Sequence, residues 1–103
     1  MIDKFIDYIK VEKRYSVLTA QAYEKDLHAL CDFLGVSAGE FDPKSATEDD
    51  IKAFLISELD KGKSARSVNR YLSSFRSFWK YLLRVGYTDV DITARIVDRK
   101  SVV

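Results

Sequence analysis

Between Ser64 and Gly86 the apolar residues Val68, Leu72, Phe75, Trp79 and Leu82 recur at alternating steps of four and three. That spacing lines side chains along one face of an α-helix and is incompatible with a strand, whose faces alternate every second residue. Ser64 is placed to cap the first turn, and Gly86 can adopt the left-handed conformation that stops a helix. The opposite face carries Arg66, Arg70, Ser73, Ser77, Lys80 and Arg84, about 200° round at 100° per residue. From Lys61 to Gly86 there are seven Lys or Arg and no Asp or Glu. A face that serves only to be solvated usually mixes both signs, because i,i+4 pairing and solubility favour it. Here the cations are interleaved instead with Ser64, Ser67, Asn69, Ser73, Ser74 and Ser77, short groups that suit phosphate and sugar oxygens. One face is made for a core, and the other suits a polyanion.

The rest of the chain supplies what such a helix needs to pack against. At 103 residues with 47% apolar content it is expected to form a single domain, 1–103, with a real core. The net charge of +1 conceals a segregation: residues 1–34 carry −1, 40–60 carry −5, 61–86 carry +7 and 87–103 carry zero. For a polyanionic partner the sign of the patch matters more than the total. The single cysteine, Cys31, has no internal partner, which fits a reducing compartment. No apolar run approaches the roughly 20 residues of a membrane span, so a cytoplasmic location is expected.

Three more helices are predicted. Ile2, Phe5, Ile6 and Ile9 mark a first helix of about three turns. Ser16 caps a second, along which Ala20, Tyr23, Leu27, Leu30, Cys31 and Leu34 keep the rhythm until Gly35. After a loop over 35–45, Thr47 caps a third, with Glu48, Asp49 and Asp50 in its first turn and Ile51, Phe54, Leu55 and Leu59 as its buried side. Ile92, Ile96 and Val97 suggest a short fifth helix, and 98–103 a frayed end or the start of a linker. Catalysis is poorly served. His28 is the only histidine and falls on the polar side of the second helix. No zinc-ligand spacing or Gly-rich phosphate loop is present, so neither a catalytic set nor a metal or cofactor is expected.

Four segments in this order resemble the N-terminal, core-binding domain of tyrosine recombinases of the phage-integrase and Xer type. They are Ser16 with Thr19; Tyr23 with Asp26 and Leu27; Thr47 with Asp50 and Ile51; and the run Gly62, Ser64, Ser67, Arg70, Leu72, Ser73, Arg76 and Phe78. The resemblance covers residues 2 to about 97. It departs from the family after the long helix, where Asp91-Ile92 stands in place of the usual Asn-Pro. It implies an all-α fold, a small orthogonal bundle of four to five helices of the SAM-like integrase type. It further implies binding of double-stranded DNA at a recombination site, as one jaw of a clamp, alongside other recombinase protomers. The residues it assigns to DNA are Lys63, Ser67, Arg70 and Arg76 first, then Ser16, Thr19, Ser64 and Asn69. On the wheel, Ser67 and Arg76 lie off the centre of the basic stripe, so either flank could meet the duplex. A chain of this length has no room for the family's catalytic Arg, Lys, His and Tyr set. An excised or truncated N-terminal half without catalysis is therefore expected. The rival class is a helical protein–protein module whose acidic third and basic fourth helices dock partners without nucleic acid. A weaker alternative is a stand-alone regulator that occupies recombination sites.

Overall fold

The computed structural model describes residues 2–37 and 39–96. Among these residues four α-helices follow one another: α1 (Ile2–Val11), α2 (Val17–Leu34), α3 (Glu48–Asp60) and α4 (Ala65–Arg84), with one 3-10 turn at Pro43–Ser45 between α2 and α3. There is no strand among the described residues, so the all-α expectation holds. The chain divides into two compact units, Met1–Pro43 and Lys44–Val103.

In the first unit α1 packs on α2. Ile2, Phe5, Ile6 and Ile9 of α1 are buried, as are Ala20, Leu27, Leu30 and Cys31 of α2. Each large aliphatic or aromatic side chain removed from water this way stabilises the fold by about 1.5–3 kcal/mol. Tyr23 is half-buried, and its ring centroid lies 6.0 Å from those of both Phe5 and Tyr15. The turn between the helices uses no glycine. Arg14 takes the left-handed conformation (φ 54°), which lets the Tyr15 N–H donate back to the Ile9 carbonyl at 3.0 Å. At the start of α2 the Ser16 Oγ accepts from the Thr19 N–H at 3.1 Å. At its end Gly35 (φ 77°) turns left-handed, so that its own N–H and that of Val36 satisfy the Asp32 and Cys31 carbonyls.

In the second unit α3 packs on α4. A reciprocal capping box starts α3: the Thr47 Oγ1 accepts from the Asp50 N–H at 3.2 Å, and the Asp50 Oδ2 accepts from the Thr47 N–H at 3.0 Å. Ile51, Phe54 and Leu55 are buried, whereas Leu59, expected on that side, is half-buried. Glu58 is buried instead, with the Lys61 Nζ 3.1 Å from its Oε2. Gly62 (φ 94°) makes the tight reversal into α4, where Val68, Leu72, Phe75, Trp79 and Leu82 are all buried. Tyr71, Phe78 and Tyr81 flank that stripe and are buried too. Phe54 meets Tyr71 edge-on at 5.1 Å and Phe75 at 5.5 Å, while Phe78 stands at 90° to Trp79 at 5.1 Å. The Phe54 contacts with Tyr71 and Phe75 join α3 to α4.

The segment after α4 differs from the expectation of a fifth helix. Gly86 (φ 77°) ends α4, and residues 92–95 form turns. The Asp91 Oδ1 accepts from both the N–H (2.8 Å) and the hydroxyl (2.5 Å) of Thr93, a local closure that competes with helix formation. Val97 and residues 98–103 lie outside the described residues.

Candidate nucleic-acid interface

The outward face of α4 is built by the same periodicity that builds its core face. Arg66, Arg70, Ser73, Lys80 and Arg84 are exposed and Ser77 half-buried, with exposed Lys63 in the turn just before the helix. Among these residues there is no carboxylate. At the N-terminus Ser64 caps: its Oγ accepts from the Ser67 N–H at 3.2 Å and donates to the Ser67 Oγ at 3.2 Å. The positive end of the helix dipole therefore adds to the charge of Lys63, Arg66 and Arg70. The Arg70 guanidinium lies 5.2 Å from the Tyr71 ring centroid, a geometry in which the ring holds the side chain on its face.

Of the residues the sequence assigns to DNA, Lys63, Ser64, Ser67, Asn69 and Arg70 come together in the turn before α4 and its first two turns. Ser67 and Asn69 are half-buried; Lys63, Ser64 and Arg70 are exposed. Arg76 stands apart from them. It lies about 120° round the helix from Arg70, is half-buried, and donates through one terminal nitrogen to the Ile96 carbonyl. Ser16 and Thr19 belong to the first unit, where both are exposed at the start of α2. The Ser16 Oγ and Thr19 Oγ1 lie 2.9 Å apart, so α2 opens with the same paired-hydroxyl cap as α4.

His28 is exposed, and among the described residues no three His, Cys, Asp or Glu side chains converge on a point where a metal could sit. The Cys31 thiol is buried, and burial, with Asp32 beside it, pushes its pKa above the ordinary thiol value, away from the reactive thiolate. Among the described residues no helix is long and apolar enough to cross a membrane. Sequence reasoning missed two side chains. Glu58 falls on the buried side of α3 between Leu55 and Leu59, but its charge argues for solvent. Arg76 finds a partner 20 residues further on, which local periodicity does not reveal.

The profile of the phage integrase N-terminal SAM-like domain matches residues 2–86. The chain belongs to that family. It is 40% identical over 101 residues to a tyrosine recombinase XerD of Listeria monocytogenes, covering 98% of this chain and 34% of that protein. The XerD of Listeria innocua is 41% identical over the same length and coverage. A tyrosine recombinase XerC of Oceanobacillus iheyensis is 39% identical over 88 residues, 85% of this chain and 28% of that one. The chain thus spans about a third of the length of the curated relatives it matches. No solved structure matches it significantly.

Proposed function

We propose that this chain is a single non-catalytic domain that binds duplex DNA at a recombination site, as the N-terminal clamp of a site-specific tyrosine recombinase. The observation that carries this reading is the outward face of α4, which presents cations and hydroxyls and no carboxylate. Lys63, Ser64, Ser67, Asn69 and Arg70 form its leading end, with Ser16 and Thr19 as further hydroxyl contacts from the first unit. Phosphate contacts from such a face supply affinity, and a few side chains at the helix start reach base edges. The reaction itself belongs to the part of the relatives that this chain does not span. Other protomers of the recombinase are its protein partners in a synaptic assembly, and the cytoplasm is its place of work.

A salt titration of duplex binding tests the reading. Neutralising about four or five phosphates gives a slope of log K against log salt of roughly −4, or a roughly 250-fold loss between 50 and 200 mM. A flat response would remove DNA as the partner and favour protein docking through the same face.

A further inference from the structure

We infer that Arg76 is a positioning residue that clasps the segment leaving α4, rather than a contact to nucleic acid. Three observations converge on this segment. Thr93 is fully buried and closed onto the Asp91 carboxylate through both its N–H and its hydroxyl. Ile96 is buried, and its N–H donates to the Thr93 carbonyl at 3.1 Å. The Ile96 carbonyl accepts from the Arg76 guanidinium, which reaches it from the middle of α4. A buried carbonyl needs a partner, and a charged donor is among the strongest available. Arg76 can serve because it is half-buried and lies one turn along from the buried Leu72, at the edge of the apolar arc.

The clasp gives the segment a fixed point of departure, two turns along α4 from Arg70. Under the proposed function, on which this consequence rests, Ile96 is then held at a set position relative to the DNA-facing residues of α4. A cation lying among the family's motif residues works inside the domain.

Amide hydrogen exchange on the whole 103-residue chain decides the matter without DNA. In Arg76→Met, which keeps the apolar stem and removes the donor, exchange at Thr93, Ala94 and Ile96 is expected to quicken about tenfold, the order a charge-assisted hydrogen bond sustains. Amides of Phe54 and Leu55 in α3 should be unchanged. Exchange unaltered at residues 93–96, or quickened equally across both sets, overturns the clasp. The salt slope of DNA binding supplies a second arm: it should equal that of the parent chain, and a fall of about one unit would place Arg76 on phosphate instead. If the parent chain does not bind DNA at all, the proposed function fails while the exchange result still stands by itself.

Discussion

Replacing Arg70 with Ala, and Arg84 with Ala as its control, separates a localised contact from a diffuse charged face. Both arginines are exposed on α4, and each substitution removes one positive charge from the same stripe. At 1.5 Å per residue they are about 21 Å apart along the axis, well over twice the Debye length of about 8 Å at physiological ionic strength. A duplex engaged by the leading end of α4 therefore senses Arg84 only through screened solvent. If Arg70 meets a phosphate, Arg70→Ala weakens all duplexes by a similar factor and lowers the salt slope by about 0.9, whereas Arg84→Ala leaves the slope nearly unchanged. If Arg70 instead forks onto a guanine edge, the loss concentrates on the cognate site, at about 1–3 kcal/mol. The phosphate outcome is expected, because most protein–DNA hydrogen bonds go to the backbone. The substitution also removes the contact with the Tyr71 ring, worth about 0.5–1 kcal/mol, so binding is measured well below the thermal midpoint of the variant. Fluorescence anisotropy with one cognate and one scrambled duplex over a salt series gives all the required quantities. Equal losses for Arg70→Ala and Arg84→Ala would refute the assignment of the leading end and leave only a general electrostatic surface.

Trp79 is a core anchor, 1% exposed against Phe78, so its emission should hardly change when DNA is added. Trp79→Ala should lower stability by about 3–5 kcal/mol in a denaturant titration followed by circular dichroism; direct quenching by DNA in the folded parent chain would contradict this. Cys31 holds its proton more tightly in the folded chain because of burial. The stability linked to its thiol is thus fully present below the unfolded pKa, near 8.5, and is lost as pH rises beyond that value through the folded one. Labelling by a thiol reagent at pH 8 should accordingly be slow in water and fast in denaturant, and rapid labelling of the native chain would show the site to be open.

The helices were legible because each carries its signal locally. Ser16, Thr47 and Ser64 cap where a short hydroxyl precedes an apolar period, and Gly35 and Gly86 stop where a left-handed residue is needed. What escaped depends on groups that meet from a distance or on a residue used against type. Arg14 takes the left-handed turn after α1 without being glycine. The apolar spacing at Ile92 and Ile96 was that of a helix, but the Asp91 carboxylate captures Thr93 first. The basic face of the candidate site could be read from the sequence, since charge and period coincide there. The hydrogen bond from Arg76 to Ile96 could not, because its acceptor comes from a segment far along the chain.

The sharp division of α4 into a packed side and a charged side has a bearing on how such a chain diverges. Replacements among Arg, Lys and Ser on an exposed helical face typically move stability by no more than about 0.5 kcal/mol. The core stripe holds the helix in place whichever of them is present. New preferences can then be tried at Arg66, Ser73 or Lys80 one residue at a time, on a scaffold that hardly registers the exchange. The buried side has no such latitude: a variant of Phe75 or Trp79 is screened by folding before any partner is met.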